Sequence, residues 1–293
     1  MGAEGAYVLT RAALGLVLAA TALAATACGG KSSSAPSTTL PAKRLLAAAP
    51  QRVEKARSSR VQLSIKVESD QLARPITMPG SGEFDYAAKK GRLTMDLSQF
   101  LSAAGQSGPG EVDVIVDGSV YYVKYPGVVA QSLGLTRPWV KVGPGSLEKV
   151  TGIDVSSLQQ ANQADPSQTL VYLRAAGKVE RVGSEEIDGV QTTKYHAVID
   201  LARVPEQAPA DKREAVRDAV EKMREQYGIS RLPLDAWFDD KGLPRRMFYA
   251  VETQVQGQKV NTSVSIDLSD YGVAVDVAPP PADQVTDISE LGS

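Results

Sequence analysis

The chain has 293 residues, 43% of them hydrophobic, 5% aromatic and 23% charged, with a formal net charge of -2 at pH 7. That balance supplies no basic field for nucleic acid. One cysteine cannot close an internal disulfide, and a lone histidine, His196, removes zinc sites of the usual His/Cys type and narrows nucleophile–histidine catalysis to one base.

Arg11 precedes an uncharged apolar run over 12–27, in which Leu14, Leu16, Val17, Leu18 and Leu23 stand among alanines. Ala25-Thr26-Ala27 then lead into Cys28. A basic start, a short apolar stretch and a small-residue cleavage site predict a signal peptide over 1–27. The run is too short for a membrane span, which takes about 20 apolar residues. The pattern resembles the bacterial lipobox, with Ala25 where the usual form has leucine. The lipobox implies a mature chain that begins at a lipidated Cys28 and hangs from the outer face of the cell membrane. An ordinary cleaved signal with an incidental cysteine is the alternative. Residues 28–41 read as the anchor and a flexible Gly/Ser-rich tether.

From Leu40 to Arg60 the period is helical, with Leu45, Leu46, Ala49, Val53 and Ala56 on one stripe and Pro50 predicted to kink or split the helix. The period then changes to two: Val61, Leu63, Ile65 and Val67 alternate with Gln62, Ser64, Lys66 and Glu68. Further strands are predicted at Gly82–Ala87, Arg92–Leu97, Val112–Val116, Val120–Lys124 and Trp139–Val142. A second group covers Lys178–Val182, Thr192–Leu201, Asp235–Asp239, Arg245–Gln256 and Lys259–Leu268. Lys90-Gly91, Asp117-Gly118, Asp188-Gly189, Lys241-Gly242 and Gln256-Gly257 read as the hairpin turns between them. Two helices interrupt the series. The first is Ser167–Ala176, opened by Asp165-Pro166, closed by Gly177 and carrying Leu170 and Leu173. The second and longest is Ala210–Tyr227, with Val216, Ala219, Val220, Met223 and Tyr227 on one face and a charged face opposite.

These elements predict an α+β fold, an antiparallel sheet of about ten or eleven strands with helices on one side. Either the helices pack flat on a filled core, or the sheet curls around an apolar cavity. Alternation alone leaves both open. The inward positions are Leu63, Ile65, Val67, Leu93, Met95, Leu97, Val114, Val116, Ile266 and Leu268. If the space is hollow, its wall is expected from Leu63, Ile65, Val67, Leu93, Met95, Val114 and Val116, with Leu170 and Leu173 covering it.

Catalytic patterns are incomplete. Ser146-Leu147-Glu148-Lys149 matches S-x-x-K, but the S-D-N and K-T-G elements that chemistry needs are missing. Asp235, Asp239 and Asp240 lack the spacing and closing glutamate of a calcium loop. Glu185-Glu186 falls at a turn, and His196 sits in a strand beside Tyr195, where a surface or packing role is the default. No catalytic residue, metal ligand or cofactor is assigned.

Four strings together carry a resemblance: Trp139-Val140-Lys141-Val142; Val182-Gly183-Ser184-Glu185-Glu186-Ile187-Asp188-Gly189-Val190 with Thr193-Lys194-Tyr195; the run from Leu232-Pro233-Leu234-Asp235 through Trp237 to Arg246; and Asp267-Leu268-Ser269-Asp270-Tyr271-Gly272. The chain from about Leu45 to Pro281 resembles the LppX/LprA/LprF/LprG group of actinobacterial lipoproteins. The resemblance implies one domain over 42–282, a tail over 283–293, and a curved half-barrel with helices over its concave face, similar to the LolA and LolB carriers. It also implies an apolar cavity for an acylated lipid or glycolipid, with a membrane transporter or envelope protein as a further partner. No catalytic residues come with the group. A signalling or scaffold lipoprotein with a filled core and an envelope hydrolase stay open as rival readings.

Overall fold

A computed structural model describes residues 39–143, 176–208, 210, 213–255 and 257–292. Cys28 with its signal and the tether as far as residue 38, the Ser146–Lys149 string, and Leu170 and Leu173 lie outside the described residues, while residues 39–41, expected in the tether, already belong to a helix.

The first helix, α1, runs unbroken over Thr39–Ala56, through Pro50. Leu45, Leu46, Ala49 and Val53 are buried on both sides of the proline, so tertiary packing of the apolar stripe overrides the local defect. Arg57 ends the helix in the left-handed region (φ 68°), with its N–H donating to the Glu54 carbonyl at 3.0 Å.

The sheet begins with β1 Ser58–Ser69, β2 Ile76–Asp85, β3 Lys90–Asp96, β4 Glu111–Asp117, β5 Val120–Lys124 and β6 Trp139–Val142. It continues with β7 Ala176–Ile187, β8 Val190–Asp200, β9 Arg231–Phe238, β10 Pro244–Val255, β11 Gln258–Ser269 and β12 Val285–Asp287. Across the sheet the order is β12-β6-β5-β4-β3-β2-β1-β11-β10-β9-β8-β7. Two meanders, β1 to β6 and β7 to β11, therefore meet at one antiparallel seam, where Val61 faces Leu268 and Val67 faces Thr262. All neighbours are antiparallel except β12 on β6, which is parallel.

Several expectations are corrected. Among the described residues the sheet has twelve strands rather than ten or eleven, because Val285–Asp287, within the expected C-terminal tail, adds β12. Ala176 and Gly177 open β7 rather than close a helix. Lys90 and Gly91 lie inside β3, and the turn before them is Tyr86–Lys89. The longest described helix is α1, since the second long helix begins only at Arg213. Short helices that lack a full apolar period went unseen: α2 Ser98–Ala103, α3 Gly127–Ser132 and α4 Val204–Gln207.

The second long helix, α5 Arg213–Tyr227, turns Val216 into the core, while Arg217, Asp218, Glu221 and Lys222 stay exposed. Gly228 (φ 69°) stops it, donating to the Arg224 carbonyl at 2.9 Å. α1 reaches both β1 and the edge strand β7, so it lies across the second meander. α5 packs on α4 and β10, and α2 packs on β2. One continuous core joins α1 and α5 to the same face of β1–β5 and β7–β11.

The curl of the sheet is written into two glycines. A Cβ on Gly82 would lie 2.0 Å from the Arg92 carbonyl oxygen, so β2 and β3 approach more closely there than any side chain permits. On Gly91 a Cβ would lie 2.3 Å from the ring of Phe84, its cross-strand partner, which fills the missing volume.

Candidate functional site

Pleating sends alternate residues to opposite faces, and the registers let each face be followed strand by strand. On the inner face one row runs Val140, Val123, Val114, Leu93, Gly82, Val61, Leu268. The next runs Val142, Tyr121, Val116, Gly91, Phe84. On the far side of the seam Ile65 and Val264 are followed by Tyr249, Leu234, Ala197 and Val179.

The expected wall residues all belong to this face, but in two different states. Leu63, Ile65, Met95 and Val114 are buried, at 5%, 0%, 0% and 3% exposure. They are core. Val67, Leu93 and Val116 are only half-buried, although they pack on that same core. Around Leu93 and Val116 stand other half-buried inward side chains: Phe84, Phe100, Tyr121, Tyr125, Val128 and Val129. Together they make a half-buried apolar patch on the inner face, contributed by β2–β5, α2 and α3. A smaller group of the same kind, Val220, Ile229, Leu232, Leu234 and Tyr249, lies where α5 meets β9 and β10.

Tyrosines belong to both half-buried groups. Burial raises the hydroxyl pKa of Tyr121, and pushes those of Tyr125 and Tyr249 up to about 12. Each side chain is only half-buried. Tyr86 is also pushed up to about 12 by burial, partly opposed by its 2.6 Å hydrogen bond with Ser59. None of these tyrosines was singled out from the sequence, although the alternation in Val120–Lys124 already places Tyr121 on the side of Val123.

The outer face carries several paired polar groups. The Lys194 Nζ lies 4.5 Å from the Trp237 ring centre and pairs with Asp235 at 2.8 Å. Trp237 Nε1 donates to Glu185 at 2.8 Å, and Arg246 grips Asp267 with Nε at 2.6 Å and Nη2. Farther along, Asp113 accepts from Thr94 at 2.7 Å and pairs with Lys124 at 3.4 Å. His196 stands between Glu180 and Asp235, with Nδ1 2.6 Å from the Asp235 carboxylate. Carboxylates, not a hydroxyl nucleophile, flank it. Asp239, expected to serve a turn, is buried there: Oδ1 accepts the Leu243 N–H at 2.8 Å, and Oδ2 accepts two bonds from Arg245 at 3.0 and 2.8 Å. Among the described residues no group of three or more His, Cys, Asp or Glu is arranged to hold a metal ion. No described helix is long and apolar enough to cross a membrane.

No protein-family model matches the chain. An uncharacterised 31.2 kDa protein from the rplA–rplJ intergenic region of Streptomyces griseus is 25% identical over 241 residues, covering 78% of this chain and 75% of that protein. Among solved structures, LprF from Mycobacterium bovis is similar with a TM-score of 0.44 and 17% identity, over 84% of this chain and 99% of LprF. Mycobacterium tuberculosis lipoprotein LppX is similar with a TM-score of 0.45 and 16% identity, over 78% of this chain and 93% of LppX. Both names, LprF and LppX, occur in the group that the strings of the sequence resemble.

Proposed function

We propose that this protein is an envelope lipoprotein that shelters the acyl chains of a lipid against the inner face of its sheet, and carries or presents that lipid beside the membrane to which Cys28 anchors it. The observation that supports this most is the divided inner face. Ile65, Met95 and Val264 are packed to exclusion, while Leu93, Val116 and Tyr121 on the same face keep accessible apolar surface. An acyl chain in water gains about 0.8 kcal/mol for each methylene removed into such a place, so binding needs no chemistry. The lipid anchor contributes by the same arithmetic, and two or more chains hold firmly.

Native mass spectrometry after mild extraction from membranes tests this directly. Wild-type protein is expected in the membrane fraction with a co-purifying lipid, and Cys28→Ala in the soluble fraction with the same lipid bound. Lipid-free protein from both fractions would overturn the carrier reading in favour of a scaffold, and turnover of the lipid during incubation would overturn it in favour of a hydrolase.

A further inference from the structure

We propose that one end of the first meander, formed by the β3–β4 and β5–β6 loops, is the face this protein lays against an anionic lipid surface, with Leu133 entering the layer and Arg137 at the level of its head groups. The inference rests on the reading of the chain as an envelope lipoprotein, and not on a lipid held by the sheet. Asp96 pairs with Glu111, Asp113 with Lys124, and Lys124 with Trp139, so residues 97–110 and 125–138 leave the sheet at the same end. The two loops carry one charged side chain between them, Arg137, in a chain that is 23% charged. Carboxylates return only at the roots of the strands, at Asp96, Glu111 and Asp113, and Asp113 already holds Lys124.

The backbone presents Leu133 at this end. The last turn of α3 is closed by the Leu133 N–H on the Val129 carbonyl at 3.0 Å, the Gly134 N–H on Gln131 at 3.1 Å and the Leu135 N–H on Ala130 at 2.9 Å. Gly134, at φ 66°, reverses the chain. The reversal returns Leu135 to the cluster of Val140 and Val142 and leaves Leu133 47% exposed. At φ -89° and ψ 0° the backbone of Leu133 would take a polar residue equally well. The other exposed large apolar side chain among the described residues is Val182, on the opposite edge strand β7, and it has Glu180, Arg181, Glu185 and Glu186 beside it in sequence.

Contact with lipid head groups rewards what this end has. A charge carried into the layer loses hydration and a carboxylate is repelled by anionic lipid, whereas apolar surface gains and a cation is attracted. Arg137 donates to the Val285 carbonyl at 2.6 Å, a neutral acceptor that leaves its charge uncancelled. α5, by contrast, holds Arg217, Asp218, Glu221 and Lys222 out in water.

Cys28 is the one cysteine of the chain, so its thiol can be coupled to a maleimide lipid whatever its fate in the cell. The test couples the mature chain from Cys28 to vesicles of phosphatidylcholine and phosphatidylglycerol that also contain a diazirine-labelled phospholipid, and maps the cross-links by peptide mass spectrometry. Cross-links are expected to concentrate in residues 127–138. Leu133→Glu should lower them there by about tenfold and leave the melting temperature unchanged. Arg137→Gln should lower them by about threefold on these vesicles but not on phosphatidylcholine alone, with Arg137→Lys restoring them. Cross-links concentrated on α5 or β7, or unchanged by Leu133→Glu, would overturn the contact. A lower melting temperature in Leu133→Glu would make Leu133 a packing residue and overturn its role. An equal effect of Arg137→Gln on both kinds of vesicle would overturn the anionic surface. Protein that co-purifies a lipid but gives no cross-link in 127–138 overturns this contact and leaves the carrier reading standing, whereas lipid-free protein that cross-links there does the reverse.

Discussion

At the scale of the residue, Asp235 shows how the outer face depends on pH. Burial pushes its carboxyl up, but hydrogen bonds from Lys194 and His196, together with their charges, outweigh that and hold it below the ordinary carboxylate range. A carboxyl whose pKa is depressed by folding stabilises the native state above its unfolded value of about 4. That contribution is lost as pH falls through the lower folded value. Urea denaturation from about pH 7 down to about pH 3 should therefore show a flat midpoint followed by an acid decline. Asp235→Asn should begin lower at neutral pH and decline less steeply. An identical acid limb in both proteins would remove Asp235 from the account.

At the scale of the element, β12 guards the sheet's edge. It pairs in parallel with β6, Arg137 donates to the Val285 carbonyl at 2.6 Å, and Lys141 bonds Asp287 at 3.1 Å. Ending the chain after Gln284 removes the buried Val285, which faces Trp139, and takes Ile288 from the cluster around Val140 and Val142. The loss should amount to about 2–3 kcal/mol by apolar burial, with faster amide exchange confined at first to β6. Unchanged exchange there would mean that the edge needs no cover. β12 was not legible in the sequence because three residues carry no period, and a parallel partner announces itself with no turn. The β-hairpins were legible for the opposite reason, since Asp188-Gly189 adopts the positive φ angles of a tight turn, 49° and 76°. β2 was half-read. Pro79, Gly80 and Gly82 look like loop, but Pro79 lies past the end of the β3 pairing, and Gly82 is demanded by the closeness of β3.

At the scale of the whole molecule, alternation placed Leu63, Ile65, Leu93 and Val116 on one face but did not say which of them touch open space. That depends on where helices lie across the sheet, and long-range placement leaves no local period. The structure supplies a matched pair for the question on one strand. Val114 is 3% exposed and Val116, two residues on, is half-buried beside Tyr121. Val114→Phe should lower stability by about 1–3 kcal/mol through overpacking. Val116→Phe should change it by less than about 0.5 kcal/mol and alter lipid binding, since its side chain is only half-buried. Equal destabilisation by the two, read by thermal melts of lipid-free protein, would mean that no space is open at Val116.

The seam between the two meanders also bears on how the chain reaches this state. Nearly every other strand pair described joins sequence neighbours, and such hairpins can close on a microsecond scale. β1 and β11 must find each other across roughly 200 residues of chain, and loop-closure entropy opposes that encounter before any contact rewards it. Until the seam zips, Leu63 and Ile65 of one half and Val264 and Ile266 of the other present bare edges that neither half can cover alone. A chain that folds from the unfolded state thus passes through two adhesive half-sheets. Its vulnerable moment is the joining of the halves, not the making of either.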